Sequence, residues 1–526
     1  MKKNLVFIIK ANQEFIRHTA VDVKINMPVL NTLFEDISDI YLPVLNMVEN
    51  FEEGSNIKFS MVLPPVLCSL LSDKQIHELY LAWLDKKIAL AHAELERNKE
   101  NSVIQSIINA NLDKYNACKE DFTNKYNCNL ISAFAALVKQ NKIELLATCA
   151  TDLFVPHYSD TPEIISAQIE CGLHSYREFF GEIPEGFWIP ELGYFPGVEK
   201  LIKAYGFSYT VLDARALLLS KKMPSSGIFY PVRTDNSLVL FAEDPEFTPK
   251  LFGEDGYCCH EDYRNENRDI GFELSLDNLA SFIDPDSVRY STGFKYFNKR
   301  EDKNSYYDIS LAQKQAELDA EDFTDYVSEK LSKAAEYLPE CDFVNLICTV
   351  DTNTIRSKWS EFLYWLKKVF ELAAKKDICL ECGNNLIARQ YSLEKIEPYY
   401  SAKGDGYGEE FLTGQSNWMI RYVKKASERI IDLADRFPSD TGLKNRLLNL
   451  GAIELLMAQS TGLIKMLNDC DNADFAERRF KESINAFTIV FDSLGSNTVS
   501  TEWLTTLEER DSIFTWMNYK VFAKKV

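Results

Sequence analysis

Apolar positions along this 526-residue chain fall into two spacings. Some form short unbroken runs. Leu5 to Ile9 in "KNLVFIIKANQEF" is such a run, closed at Lys10, and it predicts a buried strand. "IELLATCATDLFVPH", Ile143 to His157, predicts a second strand that closes around a proline. "FSYTVLD", "SLVLFAEDPE" and "DFVNLICTVDTNT" repeat the form, and each runs straight into an acidic residue. Other stretches carry helical spacing. In "DKQIHELYLAWLDKKIALAHAELERN" the residues Ile76, Leu79, Tyr80, Trp83 and Leu84 share one face, which predicts helices from about residue 73 to 140. A further helix is expected near Pro162–Phe180, and everything from Gly408 to Val526 reads as helical.

Strands alternating with helices imply an α/β fold with a parallel sheet. Strands that end in polar residues suggest a barrel whose site lies at the strand C-termini. The chain divides into residues 1–400, the barrel with a helical insertion at about 70–140, and residues 401–526, a C-terminal helical domain. Tandem repeats and low-complexity linkers are absent from the sequence.

Composition narrows the partners. A formal net charge of −21 repels phosphate backbones and anionic lipid, so neither nucleic acid nor membrane is expected as a partner. The N-terminal apolar run is too short for a signal-peptide core, and the 12 scattered cysteines suit a reducing cytoplasm. Cys379 and Cys382 form a lone CxxC with no second pair. The six histidines are dispersed, so no metal and no cofactor is expected.

Two carboxylates stand out. Glu191 lies in "FWIPELGY" between Trp188 and Tyr194, and Asp351 follows the apolar run Phe343 to Val350. Paired carboxylates can run glycoside chemistry, one as nucleophile and the other as general acid/base. Position alone does not establish this, because 79 acidic residues guarantee some at strand ends.

"FWIPELGY" resembles the nucleophile motif of glycoside hydrolase family 57, in its α-1,4-glucan branching-enzyme branch. "SMVLPPVLCSLL", "KIELLATCATDLFVP", "GFKYFNKR", "SNWMIRYVKKASERIIDLA" and "AERRFKESI" resemble further blocks in the family's order, so the likeness spans the chain. The resemblance implies a distorted, TIM-like (β/α)7 barrel with a helical insertion and a C-terminal helical domain. It also implies a retaining mechanism on an α-glucan or oligosaccharide, with Glu191 as nucleophile and Asp351 as acid/base. Trp188 and Tyr194 would supply apolar faces for sugar rings, and Trp418 falls where the family places a sugar-contacting tryptophan.

The departures concern residues beside the chemistry. Where the family reads His-Ala-His-Leu-Pro, this chain has Lys10-Ala11-Asn12-Gln13-Glu14, and Asp152 replaces another histidine. Gly462 and Leu463 replace an Asp-Trp pair, Phe272 replaces a common tryptophan, and His18 falls where a histidine is frequent. Each hydrogen bond to a charged group is worth about 1.5–3 kcal/mol, so losing three histidines unreplaced would cost about 10³- to 10⁶-fold in rate. Lys10, Asn12 and Asp152 keep the site polar and are expected to contact substrate. Lys10 in particular should approach a carboxylate. Arg356 and Lys358 raise the alternative of a charged or modified sugar. A pseudoenzyme that binds glycan or a protein partner without turnover is a third reading. Oligomeric state is not legible.

Overall fold

The computed structural model describes residues 1–16, 27–51, 57–279, 282, 289–302, 304–387, 392–404, 406–496 and 498–524; His18 lies outside them. Among the described residues the strands are β1 (Lys2–Lys10), β2 (Phe59–Val62), β3 (Ile143–Leu146), β4 (Gly186–Phe187), β5 (Tyr209–Leu212), β6 (Val232–Arg233), β7 (Val239–Ala242), β8 (Phe343–Asp351) and β9 (Cys379–Leu380).

One parallel sheet runs β3-β2-β1-β8, and a second runs β4-β5-β7 with β6 antiparallel at its edge. Two parallel bridges, Ala147 to Phe187 and Glu243 to Ile347, join these sheets into a ring. The joints are hydrogen-bonded: Trp188 N donates to Ala147 O at 2.7 Å, and Asp244 N to Ile347 O at 2.7 Å. Strands β1, β2, β3, β4, β5, β7 and β8 therefore close a distorted barrel of seven parallel strands, and the sheet has no free edge on that circuit.

Period-two alternation fills it. Val6, Ile8, Val62, Leu146, Trp188, Tyr209, Val211, Val239, Phe241 and Ile347 form one buried cluster inside the ring. Leu5, Phe7 and Ile9, of opposite parity on β1, pack into the outer core. Phe7 meets Phe247 at 5.4 Å and Phe370 at 6.2 Å, both edge-to-face. Strands buried on both sides read as continuous apolar runs.

Parity also sets up the site. Lys10 follows Val6 and Ile8 on the inward face, and Asp351 follows Ile347. The β1–β8 register pairs Lys10 with Asp351 at the C-terminal rim. The helices Lys74–Arg97, Ser102–Glu120 and Leu130–Lys139 stand between β2 and β3, the first two capped by Asp73 and Asn101. Helices Asn417–Arg436, Gly442–Ala458, Thr461–Asn468 and Ala473–Ser496 form the C-terminal layer. That layer is sewn to the barrel by Thr151 Oγ1, which donates to Leu456 O at 2.9 Å, and by Gln168 Nε2, which donates to Gln459 Oε1 at 2.9 Å. Among the described residues no single helix is long and apolar enough to cross a membrane.

Candidate active site

A cavity of about 490 Å³ opens at the C-terminal ends of the barrel strands, and both Glu191 and Asp351 line it. The two carboxylates arrive there by different routes. Asp351 is the last residue of β8 and the N-cap of helix Thr352–Lys358. Its Oδ1 accepts from Thr354 N at 2.9 Å and from Asn12 Nδ2 at 3.2 Å, and its Oδ2 accepts from Thr354 Oγ1 at 2.9 Å. Lys403 Nζ stands 3.5 Å from Oδ2. Burial alone would raise its pKa, but Lys403 and the Thr354 amide outweigh it and hold the carboxyl at about 2.

Glu191 sits past β4 in a tight turn, with φ 55° and ψ 20°. A left-handed conformation costs a non-glycine residue roughly 1–2 kcal/mol, and such strain gathers at functional sites. The turn is held by Lys403 N, which donates to Glu191 O at 2.7 Å, and by Tyr194 N, which donates to Ser401 O at 2.7 Å. Lys465 Nζ lies 2.7 Å from Glu191 Oε2. Burial opposes the charge, but Lys465 first and then Lys10 keep this carboxyl below its ordinary range. Both carboxylates are therefore ionised in the resting site.

The residues that replace family histidines form one connected chain. Lys10 Nζ donates to Asp152 Oδ2 at 2.6 Å and also to Asn12 Oδ1, while Asn12 reaches Asp351. Lys10, expected to approach Glu191 or Asp351, makes its direct contact with Asp152 instead, and its charge lowers the pKa of Glu191 from within the same cavity lining. The pair is buried, with side-chain exposures of 6% and 11%. Removing one partner of a buried ion pair leaves the other charge uncompensated, at a cost of about 3–5 kcal/mol. Lys10→Met should therefore lower stability by about that amount, and denaturant unfolding of the variant beside the natural protein checks this.

Of the three rings expected to stack on sugar, two are buried and the third lies off the cavity lining. Trp188 is only 2% exposed and packs inside the barrel cluster, so it lines the cavity without offering an open face. Tyr194 is 1% exposed, and its hydroxyl donates to Glu199 at 3.0 Å. Trp418 packs edge-on against Phe480 at 5.3 Å and is not among the cavity's lining residues. Barrel parity and packing claim Trp188 and Tyr194 for the core, whereas Trp418 is half-buried. Asp213 caps helix Ala214–Leu218 and pairs with Arg215 at 2.7 Å.

The basic pair near Asp351 is also committed. Arg356 lines the cavity but is bound to buried Asp36 at 2.7 Å, and Lys358 Nζ donates to Phe252 O at 3.1 Å. With Glu410, Asp469 and Asp471 on the rim, carboxylates outnumber the lining cations Lys10, Arg356, Lys403 and Lys465. An anionic sugar would meet net repulsion there.

Sequence reasoning missed Lys403, Lys465 and the role of Glu14. Glu14 Oε1 accepts from Ser460 Oγ at 2.7 Å, and burial lifts its pKa to about 7. A Cβ on residue 462 would stand 1.9 Å from that same oxygen, so Gly462 leaves the space that Glu14 fills. The glycine and the glutamate are linked departures, readable only once the C-terminal layer is folded over β1. Among the described residues no group of three or more His, Cys, Asp or Glu side chains could hold a metal ion.

The profile of glycosyl hydrolase family 57 matches residues 6–381, and that of the 1,4-alpha-glucan branching enzyme C-terminal region matches residues 422–522. The 1,4-alpha-glucan branching enzyme TK1436 of Thermococcus kodakarensis is 23% identical over 487 residues, 85% of this chain and 68% of that one. The alpha-amylase AmyC from Thermotoga maritima superposes with a TM-score of 0.92 at 27% identity, over 100% of both chains. The GH57-type branching enzyme from Pyrococcus horikoshii superposes at 0.88 over 100% of this chain and 98% of that one; at 20% identity this likeness speaks for the fold.

Proposed function

Because this chain belongs to glycosyl hydrolase family 57, we propose that it is a retaining α-glucan-active enzyme in which Glu191 is the nucleophile and Asp351 the general acid/base. The reaction is a 1,4-α-glucan branching or 4-α-glucanotransferase reaction, or amylase-like hydrolysis. The observation that carries this reading is convergence. Two ionised carboxylates from the ends of β4 and β8 meet in one cavity, and one of them stands in a strained backbone conformation.

In the first step Glu191 attacks the anomeric carbon while Asp351 delivers a proton to the leaving oxygen. In the second, Asp351 takes a proton from water or from a sugar hydroxyl, which displaces Glu191 from the sugar. Glu191 carries the charge that the first step needs, and Asp351, ionised in the resting site, is the base that the second step needs. Lys465 holds Glu191 ionised and Lys403 does the same for Asp351. Lys10 and Asp152 stand in for two histidines as a polar wall whose lysine adds positive potential near the nucleophile.

The reading of a charged sugar loses support, since Arg356 is paired with Asp36 and Lys358 donates to a backbone carbonyl outside the cavity lining. A cytoplasmic setting suits the chain: all 12 cysteines are free, and most are buried. Incubation with amylose tests the function. New α-1,6 linkages establish branching, new reducing ends alone establish hydrolysis, and unchanged amylose contradicts the proposal. The expected result is a measurable but slow reaction.

A further inference from the structure

The segment Tyr399–Lys403 lies along the turn that carries Glu191, and alternate residues are fastened. Tyr399 N donates to Ala216 O at 2.8 Å, Ser401 N to Tyr194 O at 3.2 Å, and Lys403 N to Glu191 O at 2.7 Å. The Arg215 guanidinium, itself paired with Asp213, donates to the carbonyl of Ala402 from outside. Ser401 and Ala402 are buried at 3% and 1% exposure. This is a rigid strap.

Its two ends differ. Lys403 enters the cavity beside Asp351, whereas Tyr399 and Tyr400 lie open at 50% and 49% exposure. The open rings are ordered against each other: their centroids are 5.7 Å apart at 83°, and Tyr400 meets Tyr407 at 5.8 Å and 86°. Tyr407 is anchored in turn, its hydroxyl donating to Tyr194 O at 2.9 Å. Extended backbone advances about 3.3 Å per residue, so Tyr400 stands roughly 10 Å along the strap from Lys403. A chain of a few linked sugar rings spans that distance.

We propose that Tyr399 and Tyr400 form an outer stacking platform for an α-glucan chain whose reacting end lies in the Glu191–Asp351 cavity. The proposal rests on the α-glucan reading above. A neutral polymer of rings with apolar faces is the ligand that an amphipathic aromatic pair suits best. The cavity supplies little stacking of its own, because Trp188 and Tyr194 are buried to the edge. The platform supplies what the cavity lacks, and it engages only substrates long enough to reach out of the mouth. It is therefore a length-selecting site.

The test compares a long and a short ligand on the full chain. In a Glu191→Gln background that holds substrate without turning it over, Tyr399→Ala/Tyr400→Ala should weaken amylose binding by about tenfold. Glucose, a single ring that cannot span that distance, should bind within about twofold of the parent. Tyr399→Phe/Tyr400→Phe should restore amylose binding, because it keeps the faces. Unchanged amylose affinity, equal loss for both ligands, or no glucan binding by the parent protein would overturn the platform. So would a change in oligomeric state by light scattering, which would assign the rings to contact with a second copy. The catalytic reading is judged separately by products formed from amylose by the natural protein, so either can fail while the other stands.

Discussion

The Glu191→Gln variant should lose α-glucan turnover by about 10³-fold or more while still binding substrate. Glutamine keeps the length and shape of the side chain, and its carbonyl oxygen can still accept from Lys465, now 2.7 Å from the carboxylate. What disappears is the charge that attacks the anomeric carbon. A neutral amide does not form the glycosyl ester, so the covalent route closes. The substitution removes no packing, because this side chain faces the cavity. Initial rates on amylose, with affinity measured alongside, separate this outcome from a folding defect. A protein that binds glucan without chemistry would behave identically with either residue.

The second large effect concerns the proton on Asp351. Asp351→Asn should lower the rate by about 10²- to 10⁴-fold, the usual contribution of a positioned acid/base. The pH dependence says more. Asp351 is held well below the ordinary carboxylate range, which favours its ionised form over the protonated form that the first step needs. Lys403 is the first cause after burial. An opposite charge beside a carboxyl lowers its pKa by about 1–3, and removing that charge returns it upward. Lys403→Met should therefore move the alkaline limb of kcat/KM to higher pH by about one to three units. The sign follows from the role: an acid with a higher pKa stays protonated further up the scale. An unmoved limb in Lys403→Met would detach Lys403 from the acid, and an alkaline limb that fell would contradict the assignment of Asp351 as proton donor.

Local pattern made the barrel's long elements legible. The apolar runs at Leu5 to Ile9 and Phe343 to Val350 became β1 and β8, which pair over nine residues. The helix expected near Pro162–Phe180 spans those residues. Strand β4 has two residues and the ring closes through single bridges, so neither carried enough periodicity to be read. The tail does not become continuously helical at Gly408: a short 3-10 turn at Glu409–Leu412 comes first, and the first α-helix begins at Asn417. The strap Tyr399–Lys403 before it has no helical period, because its backbone amides bond to Ala216, Tyr194 and Glu191.

The candidate site divides along the same line. Glu191, Asp351, Lys10, Asn12 and Asp152 end strands or follow them closely, so parity and motif order brought them to one cavity lining. Lys403 and Lys465 come from the strap and from helix Thr461–Asn468, separated from the carboxylates only in sequence. A lysine on a polar helix face looks like any solvated charge until the layer beneath it is known. The burial of Trp188 and Tyr194 was not legible for the complementary reason: a large ring near a motif serves the core as readily as the ligand.

The central claim is that Glu191 forms a covalent bond to the sugar, and mass spectrometry tests it most directly. The natural protein, incubated with a fluorinated α-glucosyl donor whose second step is slow, should gain the mass of one glycosyl group. Digestion should place that mass on the peptide containing Glu191, and Glu191→Gln should gain nothing. An adduct on another peptide, or product formed with no adduct at any time, would contradict the account.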